Sequence, residues 1–123
     1  MAESAIFDPQ YLSTTAGHAV SELFQHLWRE TRRSVEGNTV VVTLPFLDRH
    51  NDYLQVYLTY RNTETWKWRI SDDGYTIHEL ELQNRQLSPE FAHMRDGSEL
   101  ALECTERGTG PAFWRLLRAM MSV

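Results

Sequence analysis

Between Thr39 and Ile70 three runs of β-forming residues follow one another with no stretch between them long enough for a crossover helix, and this constrains the fold more than any other feature. Thr39 to Leu44 (TVVVTL) is β-branched and nearly all apolar. Tyr53 to Tyr60 alternates, with Leu54, Val56, Leu58 and Tyr60 on one side, and Trp66, Trp68 and Ile70 alternate with Lys67 and Arg69. Three such strands in sequence form an antiparallel meander. Arg61-Asn62-Thr63-Glu64 suits a hairpin connection, and Asp72-Asp73-Gly74 ends the third strand with a glycine able to take positive φ.

Helical signals flank this centre. After a lead-in of thirteen residues, Thr14 or Thr15 is a suitable N-cap for a helix reaching about Val35 and stopped by Gly37. Ala16, Ala19, Val20, Leu23, Phe24, Leu27 and Trp28 give it an apolar stripe that has to pack on something. Thr76 opens a short helix, where TIHE places Glu79 three residues after Thr76 as a reciprocal capping box. Residues 83–98 read as loop with one helical turn, Glu99 to Cys104 as a fourth strand, and Pro111 as the first turn of a closing helix with Phe113, Leu116, Leu117, Met120 and Met121 on its apolar side. The expected fold is α+β: a single domain over residues 1–123, with an antiparallel three- to four-stranded meander and the N-terminal amphipathic and C-terminal helices packed on it. The order is α-β-β-β-α-β-α.

A chain of 123 residues with 41% hydrophobic content suits one core. No apolar run is long enough to span a bilayer, and MAESAIFD lacks the basic start and apolar stretch of a secretory signal, so a cytoplasmic protein is expected. The lone Cys104 lies in the alternating LALEC stretch and reads as a small buried side chain. A net charge of −5 argues against direct nucleic-acid binding, which rests on Lys and Arg neutralising phosphates.

The meander has a consequence for the acidic residues. Its first and third connections fall at the same end of the sheet, which brings Asp48, Arg49, His50, Asn51 and Asp52 to within roughly ten ångströms of Asp72 and Asp73. Carboxylates gathered around an imidazole can bind a divalent cation through oxygen, whereas Asp and Asn are also favoured turn residues. His18, Glu22 and His26 recur every four residues on the first helix, opposite the apolar stripe, and read as a solvated face. Tyr53 and Tyr57 share one strand face beside Lys67 and Arg69, a combination common at protein contacts.

PFLDRHNDYLQVYL (Pro45 to Leu58) and SDDGYTIHELEL (Ser71 to Leu82) together resemble the paired motifs of a family of bacterial and phage domains, the domain of unknown function numbered eighteen-twenty-eight. The match is specific from about Val40 to Leu82, and the closing LLRAMMSV is similar to the family's last helix. The resemblance carries over Pro45, Asp48, Arg49, His50, Asn51 and Asp52 from the first motif and Asp72, Asp73, Gly74 and Tyr75 from the second. It implies an association with prophages and other mobile elements and attaches no catalytic activity to these residues. The sequence departs from the family pattern between Gln83 and Gly97, where a longer basic helix is expected. A small, acidic protein with this association is expected to be non-enzymatic and to bind a protein partner, as an inhibitor of a host defence complex such as CRISPR interference. Its recognition edge is expected to comprise Asp48, Arg49, His50, Asn51, Asp52, Asp72, Asp73 and Tyr75, with no cofactor. Two alternatives stand beside this: a divalent-metal-dependent hydrolase or nuclease using Asp48, Asp52, Asp72 and Asp73 as ligands with His50 as base, and a homodimer of secretion-chaperone type.

Overall fold

The three β runs become adjacent strands of a single sheet. In the computed structural model, which describes residues 8–123, the order of elements is α1 (Pro9–Glu30), β1 (Arg32–Glu36), β2 (Thr39–Leu47), β3 (Tyr53–Tyr60), β4 (Trp68–Ser71), α2 (Tyr75–Leu82), β5 (Arg95–Asp96), β6 (Glu99–Cys104) and α3 (Thr109–Met121). Of the expected lead-in, positions 1–7 lie outside the described residues. The sheet has six strands in the order β1-β2-β3-β4-β6-β5. The meander is present as expected: Val42 pairs with Val56 across β2 and β3, Leu58 with Ile70 across β3 and β4, and Ile70 with Leu102 across β4 and β6, all antiparallel.

Alternation puts Val42, Leu44, Leu54, Val56, Ile70 and Leu100 on one face, where they are buried. That face is covered by Ile77 of α2, by Phe91 and Met94 of a 3₁₀ turn at Pro89–Met94, and by Leu116, Leu117 and Met120 of α3. Cys104 packs against the edge of this core, half-buried, and burial pushes its thiol above the usual range, so it stays a protonated small side chain. Among the described residues no helix is long and apolar enough to cross a membrane.

β2 runs on to Leu47 and β4 begins at Trp68 rather than Trp66, and four larger differences from expectation stand beside these. α1 begins at Pro9 rather than Thr14, because Asp8 is the N-cap: its Oδ1 accepts from the Gln10 N–H at 2.8 Å and Pro9 takes the first helical position. The helix stops at Glu30, where Thr31 turns extended and its N–H and hydroxyl both donate to Leu27 O. Residues 32–36, expected as the helix end, instead form β1 and reach β2 through the two-residue turn Gly37-Asn38, with Gly37 at φ 63°. Within the expected loop at 83–98, β5 adds two residues to the sheet beside β6.

The chain divides into two compact units, Met1–Arg32 and Arg33–Val123. The second contains the core just described. In the first, none of the described α1 residues is buried; within the expected apolar stripe Leu23 and Phe24 are 53% and 64% exposed, while Leu27 is half-buried.

Candidate functional site

Asp48 closes the turn between β2 and β3. Its N–H donates to Asp52 O at 2.8 Å and its C=O accepts from the Asn51 N–H at 3.1 Å. Its Oδ1 accepts from the backbone N–H of His50 at 2.7 Å and of Asp52 at 3.0 Å, the side-chain turn that makes aspartate common in such places. Asn51 takes a left-handed φ of 61°, which Asn tolerates better than most residues. Just upstream, the β2–β3 register slips between Thr43 and Leu47, around Pro45, which has no N–H for the ladder. Burial alone would raise the Asp48 carboxyl. The N–H groups of Asp52 and His50, the His50 imidazole and the Tyr75 hydroxyl outweigh it and hold the acid below the ordinary carboxylate value.

Asp72 has a different task. It is almost fully buried; Oδ1 accepts from the N–H of Gly74 and of Leu100, both at 3.0 Å, and Oδ2 from the Thr76 N–H at 2.9 Å. One side chain thus caps the first turn of α2 and fastens it to β6. The expected capping box does not form. α2 starts at Tyr75 with Gly74 as N-cap at φ 86° and no side-chain bond from the cap residue, so Thr76 lies inside the helix rather than at its boundary.

Glu79 is therefore free to turn elsewhere. At 5% exposure it sits behind the 48–52 turn, where Arg49 Nε donates to its Oε2 at 3.1 Å and His50 Nε2 lies 3.1 Å from both of its oxygens. The side chains of Arg49 and His50 remain 46% and 44% exposed. A carboxylate buried to this degree is tolerable only with such partners. The tip of the turn is consequently held twice, by Asp48 through the backbone and by Glu79 through the side chains. Sequence reasoning missed Glu79, whose spacing to Thr76 fitted a cap; only the partners 29 and 30 positions earlier reveal its use.

Tyr75 follows directly from the second motif. Its phenol is pushed up to about 12 by burial and by the charges of Asp48 and Glu79, with Arg49 acting in the opposite direction. It stays a hydroxyl donor toward Asp48 across the neutral range.

Asp48, His50, Asp52, Asp72, Asp73, Tyr75 and Glu79 are among the residues lining a cleft of about 420 Å³ between the 48–52 turn and the start of α2. The two aspartate-bearing turns thus meet as the meander requires. Arg49 and Asn51 stand outside the lining of this cleft. Arg49, with Asp48 and Tyr75, instead borders a second, more apolar cleft of about 580 Å³ formed with Phe46, Met120 and Met121. Among the described residues no three His, Cys, Asp or Glu side chains are grouped to hold a metal ion, and this includes the His18, Glu22 and His26 row. The four aspartates do not converge on one point, because Asp72 spends its oxygens on backbone N–H groups and Asp48 spends one on its own turn.

Tyr57 occupies the open sheet face as expected, its hydroxyl donating to Gln55 Oε1 at 3.2 Å. Arg69, on the same face, is bound into a network with Asp96 and Glu99, and Glu99 also accepts from Ser71 Oγ at 2.9 Å. Lys67 lies ahead of β4, 4.0 Å from Glu106.

A family model described as Domain of unknown function DUF1828 matches residues 44–123. No curated protein and no solved structure matches the chain.

Proposed function

The chain belongs to the DUF1828 family, and from that premise and the geometry of its turn we propose that it is a small non-enzymatic protein that binds another protein through the edge formed by residues 48–53 and Asp73. The observation that carries this reading is Glu79. A buried carboxylate holds Arg49 and His50 from behind while their outer faces stay in water, so the edge is ordered before any partner arrives. Pre-organisation of this kind lowers the entropy lost on association. Tyr53, 59% exposed at the start of β3, and the neighbouring exposed Leu47 supply the aromatic and apolar surface on which binding energy concentrates.

Asp52 and Asp73 give the edge an acidic outer rim on a chain of net charge −5, suited to a partner surface that otherwise holds nucleic acid. A host defence complex offers such a surface, and the mobile-element association that the resemblance implies makes it the class to test first. The experiment is affinity capture from a host with an intact defence locus, together with phage plating. A specific partner is expected, with binding weakened at least tenfold by Asp52→Ala combined with Asp73→Ala and unchanged by the distant Glu106→Ala. Capture of no specific partner, with plating unaltered, overturns the reading.

A further inference from the structure

We infer that the apolar stripe of α1 is an antiparallel self-association surface, its occupant the same helix of a second copy of the chain. None of the 22 residues of α1 is buried, and Leu12, Val20, Leu23 and Phe24 stand exposed along it. A helix with such a stripe gains most of its stability in water from covering it. Ala16, Val20, Leu23 and Leu27 repeat at alternating spacings of four and three, the seam of a short two-helix coil, with Ala19 and Phe24 flanking it.

The order of side chains selects the orientation. Antiparallel pairing centred between Ser21 and Glu22 sets Ala16 of one copy beside Leu27 of the other and Val20 beside Leu23, so small meets large at each level of the seam. Parallel pairing would face Ala16 with Ala16 and Leu27 with Leu27, leaving a void at the Ala16 level. Charge agrees. Asp8 caps one end of α1 and Arg29 and Arg32 lie at the other, so antiparallel copies set opposite charges together and oppose the helix dipoles, while parallel copies stack the arginines. The arrangement is isologous and closes at two copies. Residues 13–30 of the two helices then overlap in a seam about 27 Å long and about 10 Å wide that hides on the order of 550 Å² in total, below the size of a stable interface, so association is weak, reversible and concentration-dependent.

Sedimentation of the full chain across a hundredfold range of concentration tests this. The average mass is expected to rise from 14.4 kDa toward twice that value. Leu23→Glu is expected to raise the dissociation constant at least tenfold, while Ser21→Glu on the opposite face leaves it unchanged; circular dichroism checks that both variants keep their helix. In a Cys104→Ala background, a short thiol cross-linker is expected to join an equimolar mixture of Ala16→Cys and Leu27→Cys chains and to leave Ala16→Cys alone unlinked. A monomer at every concentration overturns the proposal, including the outcome in which Leu23→Glu lowers the melting temperature of that monomer because α1 covers its own chain. A dimer indifferent to Leu23→Glu, or linked through Ala16→Cys alone, overturns it equally.

Discussion

Two buried carboxylates, Asp72 and Glu79, decide how the second motif is used, and each does so by collecting hydrogen-bond donors from neighbouring segments. Asp72→Ala orphans three backbone N–H groups at once. We expect a loss of about 3 kcal/mol, read as a lower urea midpoint with an unchanged slope. Glu79→Ala is expected to cost less, about 1–2 kcal/mol, because Arg49 and His50 can turn to water; Glu79→Gln keeps an acceptor and falls between. Tyr75 carries a pH prediction. The unfolded chain releases the phenol proton near pH 10 and the folded chain holds it to about 12, so between these values the unfolded state carries fewer protons. Its contribution to stability is complete below about pH 10 and is lost as pH rises toward 12, at no more than about 1.4 kcal/mol per pH unit. Urea midpoints taken across this range should fall less steeply in Tyr75→Phe, with Tyr57, also raised, accounting for part of the slope that remains. The sequence placed Asp48, Asp72 and Tyr75 near one another but not their tasks. Thr76 and Glu79 have the spelling of a capping box, and the competing acceptor that displaces it, Asp72, lies four residues ahead of Thr76 and is recognisable only once β6 supplies the Leu100 N–H.

At the scale of elements, the strands that bury one face were legible and those that bury nothing were not. β3 alternates buried Leu54 and Val56 with exposed neighbours, a pattern that period-two reading detects, and β2 is legible from its β-branched run. β1 has every residue exposed, so RRSVE offers no alternation to read and the preceding helical rhythm runs over it. β5 has two residues and exists only through its pairing with β6. The junction between β4 and α2 depends on Gly74. At φ 86° a side chain there is strained, and an added Cβ would lie 3.3 Å from Ser98 O, so Gly74→Ala is expected to cost about 1–2 kcal/mol by thermal melting. α3 is held by its inward residues. Leu116, with no exposed surface, should cost about 2–5 kcal/mol when cut to Ala, a far larger effect than the exposed Trp114→Ala.

Across the whole molecule, burial is concentrated in residues 33–123, and α1 contributes none of it among its described residues. Native-state hydrogen exchange at concentrations low enough to keep chains apart should therefore show α1 amides opening with little free energy and those of β3 and β6 only with global unfolding. Equal protection in both would contradict this division. The sheet itself raises a hazard that its ends answer. An unpaired strand at either margin is a template for further chains, yet β5 is too short to serve, and β1 carries Arg32, Arg33 and Glu36 along an exposed ribbon. These charges act as gatekeepers against fibril growth: a chain with Arg32→Val and Glu36→Val should convert to thioflavin-positive aggregate while its unaltered parent stays dispersed.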